Sequence, residues 1–311
     1  MDIENAFKIL SLEEIKKSRV FKKYGMASKD TDFSVLNNNE KGSYWTSSKE
    51  ENISVKTINC DGKVSFNYVT VNPIGCRPVI SYSFIKNFAK VIDDKKFGVL
   101  EIEYGEYPKD FVSSKEKDIL EKLYKNNSLN KTKKTYSIST STGPGPYFDT
   151  KISYDEYEYN GEKYIMVDSK FDDFGKIEKR GIRDWIKVEP VRFLVDKKLD
   201  FAITKDIVFS GVCFTDDSCS SAEQKKTYLY KYLNEVFAKD IVPSNIYTNS
   251  VNINEDTDIY IKLSGGKYQL IEILKKLNDE LVNVELLDEK DIIRKRWWYA
   301  KIYIVNNRTI K

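Results

Sequence analysis

The residue types and spacings that could do chemistry fall into a few groups. Arg294-Lys295-Arg296-Trp297-Trp298-Tyr299 interleaves cations with large rings, a pairing that base-stacking surfaces and protein-binding hot spots both use. Tyr44-Trp45 is a second aromatic candidate for contact with a partner. Glu101, Glu103 and Glu106 surround Tyr104, and Glu156 and Glu158 alternate with Tyr157 and Tyr159. On a strand, Glu101 and Glu103 share one face, as do Glu156 and Glu158. Hydrolysis of a glycosidic bond needs two carboxyls roughly 5–9 Å apart across a cleft, one of them made a weaker acid by burial. A solvent-facing acidic row opposite a tyrosine-lined inner face explains the alternation better. Asp168, Asp172 and Asp173, or Asp216 and Asp217, could offer oxygens to a hard cation, although a solvated acidic turn is the simpler reading.

What is missing narrows the chemistry further. The chain has no histidine, which removes Ser–His and Cys–His nucleophile pairs, imidazole-ligated metals and imidazole bases. Its four cysteines, Cys60, Cys76, Cys213 and Cys219, form no CxxC pair and make a poor zinc signature. They read as reduced, mostly buried thiols. Gly143-Pro144-Gly145-Pro146 is no phosphate loop, because its prolines lack amide donors and no Lys-Ser/Thr follows. No metal site and no cofactor is expected.

Charge and length set the outer bounds. The 311 residues suggest more than one folding unit, and 51 Lys+Arg against 48 Asp+Glu leave a net charge of only +3. The stretch 251–311 holds eleven basic and ten acidic residues, too even for an electrostatic grip on a phosphate backbone. Nucleic acid is therefore an unfavoured partner. No apolar run approaches the roughly 18 residues of a membrane helix, and acids at the N-terminus stand where a signal peptide carries lysines. The expectation is a cytoplasmic protein of a bacterial host that makes no use of a membrane.

Several elements can be placed. Phe7-Lys8 reads as a strand entering a helix with a Ser11/Glu14 capping box, whose Leu12, Ile15 and Phe21 face inward. Asp61-Gly62 and Asn160-Gly161 each mark a hairpin, and positive φ is expected at both central positions of the first. A strand from Val99 is expected to stop at Gly105 and Pro108. A helix follows, capped by Ser113 and Glu116, and then a polar stretch. Further strands fit Ile186 to Val195 and Ile203 to Val212. Leu229, Tyr232, Leu233, Val236 and Phe237 mark a helix near 222–237. Beyond a break at 242–245, a strand at 258–263, a helix carrying Leu270, Ile271, Leu274, Leu277 and Leu281, and strands at 282–287 and 297–305 make a small β-α-β-β module.

Short motifs carry a family likeness. Tyr44-Trp45-Thr46-Ser47-Ser48 with Gly75-Cys76-Arg77-Pro78-Val79-Ile80 resembles the closing half of bacterial C-type-lectin-like and formylglycine-generating-enzyme-like domains. Glu103-Tyr104-Gly105-Glu106-Tyr107-Pro108-Lys109 is similar to the FGxYPQ opening of a bacterial domain of unknown function in that group. Trp185 to Val195 resembles its PIxWxVL strand, and Tyr232-Leu233-Asn234-Glu235-Val236-Phe237 its WLNxxF element. The likeness covers about 1–241, with the two halves in reversed order. It implies an α+β fold, a lectin-like mixed sheet with flanking helices. On this reading 1–92 and 93–245 are two lectin-like halves, or together one permuted domain, and 246–311 is the small α/β module. Copper-dependent oxygenase chemistry of that group would need Cys60 and Cys76 as a pair. Calcium-dependent sugar binding of the animal type lacks its motif, since Glu189-Pro190 precedes Val191.

The expected function is non-enzymatic recognition, with a protein partner held by a phage- or mobile-element-associated protein such as a host-defence inhibitor or an adhesin. Contact residues are expected among Arg294, Lys295, Arg296, Trp297, Trp298, Tyr44 and Trp45. The alternatives are a carboxylate-dependent glycan hydrolase using Glu101 or Glu103 and a nucleic-acid-associated factor using 294–298.

Overall fold

The computed structural model describes residues 6–36, 41–51, 53–70, 74–86, 89–93, 99–140, 150–171, 176–215 and 227–241. Five strand segments between 259 and 304 are also described. The fold is α+β, a large antiparallel sheet with short helices against it.

One strand organises that sheet. β11 (Ile177–Asp196) is twenty residues long. β7 (Leu100–Phe111) runs antiparallel along one edge, pairing from Val195↔Leu100 to Ile186↔Phe111. The opposite edge is shared, with β10 (Glu162–Phe171) on its first half and β12 (Phe201–Thr204) on its second. The sheet therefore forks. One arm continues through β9 (Thr150–Tyr159) to β8 (Asn130–Thr140), and the other through β5 (Val79–Ile80) to β1 (Phe7–Lys8); β6 (Lys90–Asp93) borders β7. Strands from both expected lectin-like halves thus hydrogen-bond within one sheet.

β7 does not stop at Gly105 and Pro108, as the sequence suggested. Tyr104 and Gly105 together oppose Val191, and Lys109 and Asp110 together oppose Lys187. Two bulges absorb the irregular residues. Gly105 takes φ +68, and a Cβ there would lie 2.5 Å from Ile241 Cγ1 and 2.6 Å from the Ile241 carbonyl oxygen. Only glycine fits that approach.

Two helical layers clamp the forked sheet. On one face α5 (Ser114–Lys125), capped by Ser113, packs Leu120 against Tyr157, Tyr164 and Trp185. On the other, a helical run places Leu229, Tyr232, Leu233 and Phe237 in one core with Tyr107, Tyr136, Ile165 and Ile186. Adjacent residues such as Tyr164/Ile165 and Trp185/Ile186 serve opposite layers, as the pleat requires. This run is α6 (Tyr228–Tyr232), a π-helical turn (Leu233–Phe237) and α7 (Ala238–Asp240). Asn234 in the π turn accepts from Phe7 N–H at 3.0 Å and donates to the Phe7 and Tyr230 carbonyls at 2.9 Å each.

The N-terminal region follows its sequence signals closely. Ser11 and Glu14 form the capping box of α1 (Leu12–Lys17). Ser18 then ends α1 and caps α2 (Arg19–Tyr24). Leu12, Ile15 and Phe21 join a second core with Tyr44, Ile58 and Leu194. α3 (Asp32–Val35) follows, its first turn capped by Thr31, and α4 (Tyr82–Ile85) follows β5. β2 (Tyr44–Glu51), β3 (Ser54–Ile58) and β4 (Val64–Tyr68) form a separate three-stranded sheet in that order. Its β3–β4 hairpin departs from the expected turn. Gly62 alone has positive φ, and Gly62 N–H bonds to the Asn59 carbonyl while Asn59 N–H bonds to the Lys63 carbonyl. This is a three-residue connection with glycine in the left-handed position. The second hairpin has positive φ at both Asn160 and Gly161, the mirror-image turn that strand twist favours.

The C-terminal segments differ from the β-α-β-β expectation. β13 (Ile259–Lys262), β14 (Tyr268–Ile273), β15 (Asn283–Leu287), β16 (Ile292–Arg296) and β17 (Ile302–Ile304) pair antiparallel in the order β16-β15-β14-β13-β17. Leu270 and Ile271, read as the start of a helix, lie on β14. Ile271 pairs with Ile259 on one side and Leu286 on the other. A strand flanked on both sides reads as a continuous apolar run, which periodicity alone does not separate from a helix. Leu274, Leu277 and Leu281 lie outside the described residues.

Candidate functional site

Three places on the described surface and core bear on function, and the first is an open cleft of about 370 Å³ where β7, β10 and β11 meet. Its carboxylates are matched by cations. Glu106 pairs with Lys163 at 2.5 Å, Glu162 with Lys187 at 2.6 Å and Glu189 with Lys109 at 3.0 Å. Glu103 meets Lys90 at 3.2 Å and Arg192 at 3.9 Å, and Glu101 beside it meets Lys205 at 3.0 Å. The hydrogen bonds from Lys187 and Tyr164 hold the Glu162 carboxyl below its ordinary range. A hydrolytic general acid requires the opposite, a proton retained near neutral pH. The cleft is built as a lattice of ion pairs over β7, β10 and β11.

Behind Glu106 and Lys163 lies a buried polar cluster that the sequence reading placed wrongly. Glu156 was expected on a solvent face but is fully buried. Glu156 is the register partner of Ile165 and lies on the face that the last helical run covers, and opposite it β8 bulges, the register passing from Lys131↔Tyr157 to Thr135↔Asp155. The bulge brings the Thr132 hydroxyl to Glu156 Oε1 at 3.0 Å, and Tyr136 O–H donates to Oε2 at 2.8 Å. Lys134, also buried, sets its ammonium 4.4 Å from the centre of the Tyr136 ring. Burial pushes this amine down to about 8, against the raising influence of Glu156, Asp240 and Glu106. Burial pushes Asp240 up to about 7, although the Ser137 N–H and nearby Lys134 favour its charged form. Asp240 Oδ2 accepts from Ser137 N–H at 2.9 Å, and Tyr232 O–H donates to the Ser137 carbonyl at 2.6 Å. These bonds pin the helical run to β8. The cluster satisfies its buried polar groups largely from within, the pattern of a structural network.

The third place is β4. Val64, Phe66 and Tyr68 are 42%, 61% and 59% exposed. β4 is the edge of its sheet, and among the described residues nothing pairs with its outer side. Isolated exposed apolar residues are ordinary, but three in alternation on one edge strand make a contact surface.

The aromatic candidates Tyr44 and Trp45 are core residues in this fold, 1% and 2% exposed. Tyr44 stacks under the Arg77 guanidinium at 5.2 Å and its O–H donates to the Met26 carbonyl. Trp45 packs near Phe214, and its Nε1–H donates to the Val212 carbonyl at 3.2 Å. Neither can reach a partner, because adjacent positions at the start of β2 are covered on both faces. Arg294, Lys295 and Arg296 lie on β16, an edge strand on which Arg294 is the register partner of Glu285. Trp297 and Trp298 lie outside the described residues, as do Asp172, Asp173, Asp216, Asp217, Cys219 and residues 143–146. Cys60 is exposed in the β3–β4 turn while Cys76 and Cys213 are buried, and none of the three is in a disulfide. An exposed and a buried thiol do not make a copper-binding pair. Asp168 accepts from the neighbouring Ser169 hydroxyl, and among the described residues no three acidic or cysteine side chains converge on a metal position. No described helix is long and apolar enough to cross a membrane.

Comparison with family models, with characterised proteins and with solved structures finds no match to this chain. The sequence signal that would have singled out β4 is its alternation, Val64-Ser65-Phe66-Asn67-Tyr68, with no charge on either face.

Proposed function

We propose that this chain is a non-enzymatic recognition protein that holds a protein partner, in the cytoplasm of a bacterial host and on behalf of a phage or other mobile element. An inhibitor of a host-defence enzyme and a particle-borne adhesin are both forms this would take. The observation that carries the reading is the uncharged strand β4, with Val64, Phe66 and Tyr68 presented to solvent. Interface centres favour such surfaces, rich in aromatic residues and poor in charge. The cleft supports the same reading from the other side, because each of its carboxylates faces a lysine or arginine across a salt bridge. The absence of histidine from the sequence removes the most common acid–base group.

Affinity capture from host lysate with the intact chain tests the proposal. The expected result is one protein recovered in stoichiometric amount that withstands a nuclease wash. Recovery of no such protein, or turnover on a glycan panel that Glu103→Gln abolishes, would count against it.

A further inference from the structure

The hydrogen-bond phase of β4 shows what its open side offers. Asn59 N–H bonds to the Lys63 carbonyl and Val69 N–H to the Ile53 carbonyl. With the register Val64↔Ile58, Phe66↔Lys56 and Tyr68↔Ser54, these two bonds fix the alternation of the ladder. Lys63, Ser65 and Asn67 turn their backbone groups toward β3, as does the Val69 N–H, while the Val69 carbonyl accepts from Thr215 N–H at 3.1 Å. Val64, Phe66 and Tyr68 turn their N–H and C=O groups to the open edge, and the same residues carry the exposed side chains.

Natural edge strands are usually blunted by a lysine, a proline or a bulge. The five residues of β4 include no charge and no proline, and their pairing with β3 is free of register shifts. Its edge therefore remains competent to pair.

Area decides between the two kinds of strand that could pair there. A buried Phe or Tyr covers about 150–250 Å², so the exposed parts of the stripe amount to roughly 300 Å². A second copy of this chain paired edge to edge would cover about 600 Å² in total, half of what a stable interface of standard size needs, roughly 1,200 Å². An extended peptide needs less, because its main-chain hydrogen bonds supply affinity. At the turn end of β4, Lys63 is exposed and makes no ion pair among the described residues.

We propose that β4 is the docking edge for an extended segment of a partner protein. The segment adds to the three-stranded sheet as a fourth strand. It lays alternate apolar side chains along Val64, Phe66 and Tyr68, and it sets a carboxylate beside Lys63. This inference rests on the recognition reading above and names the part of the partner that is held.

A random linear-peptide display library panned on the intact chain is the probe. The most enriched peptide is then titrated by fluorescence anisotropy against the parent protein, Phe66→Pro and Phe66→Thr. Enriched peptides should carry apolar residues at every second position. Phe66→Pro, which removes an outward N–H and the ring, should weaken binding at least tenfold, and Phe66→Thr, which removes the ring alone, severalfold. Bound peptide should slow amide exchange at Val64, Phe66 and Tyr68. The threonine variant keeps every backbone group, so its response stands even if the proline variant folds poorly. No enrichment, peptides without the two-residue period, or affinity indifferent to Phe66→Thr and Phe66→Pro overturns the proposal. A lysate partner retained equally by Phe66→Thr and Phe66→Pro would leave recognition standing and remove strand addition; no partner and no peptide would remove both.

Discussion

Asp240 sets burial against charge more sharply than any other described carboxylate. Its proton affinity is raised from the ordinary 3.8 to about 7 by desolvation, so between those values the folded chain binds more protons at this site than the unfolded chain. Stability from this group is present below about pH 4 and is lost as pH rises through 7. Lys134 works in the opposite sense. Lowered from 10.5 to about 8, it binds fewer protons when folded between those values, so stability rises with pH across that window. The two groups together place a trough near pH 7–8. Asp240→Asn keeps an oxygen to accept the Ser137 N–H and removes the buried charge. Urea midpoints measured from pH 4 to 9 should show a flatter profile below 7 for this variant, and a gain at pH 8 on the order of 1–3 kcal/mol. A variant that retains the parent slope between pH 4 and 7 would assign that slope to other carboxylates.

At the scale of elements, the π turn in the last helix does the joining. Asn234 bridges the backbone of β1 and the carbonyl of Tyr230 in one side chain. Asn234→Ala leaves those buried groups unmet and should cost about 2–4 kcal/mol, read as a lower urea midpoint with an unchanged slope. Elements governed by local rules were legible from the sequence. The Ser11/Glu14 box, the Ser113 cap, the Asn160-Gly161 turn and the inner face of the last helix all follow from chemistry within a few residues. Elements governed by distant partners were not. β8 reads as a polar stretch because Lys131 and Lys133 alternate with Thr132 and Lys134, and only packing turns Lys134 and Tyr136 inward. β7 reads as ending at Gly105, because the Ile241 backbone that requires glycine there lies 136 residues away. The surface at β4 was visible as an alternating pattern, but its exposure depends on which side of β3 the core occupies. The same dependence put Tyr44 and Trp45 inside.

At the scale of the whole molecule, β11 carries two arms on one edge and β7 on the other, so the sheet has no half that could be removed without opening the rest. Three of its pairings, β1 with β5, β5 with β12 and β7 with β11, join segments far apart in sequence, and such non-local contacts slow folding. β1 is only two residues long and is clasped by β5 and by Asn234, 227 positions later. A nascent chain ended at residue 226 holds every strand of the large sheet yet lacks the clasp, and with it Leu229, Tyr232, Leu233 and Phe237 of the main core. Arrested on the ribosome at that length, it should be cut by a protease at sites that resist once residues 227–241 have emerged. β1 is synthesised before every other strand of this sheet and is thus among the last to find its place, since the asparagine that holds it follows 227 residues later.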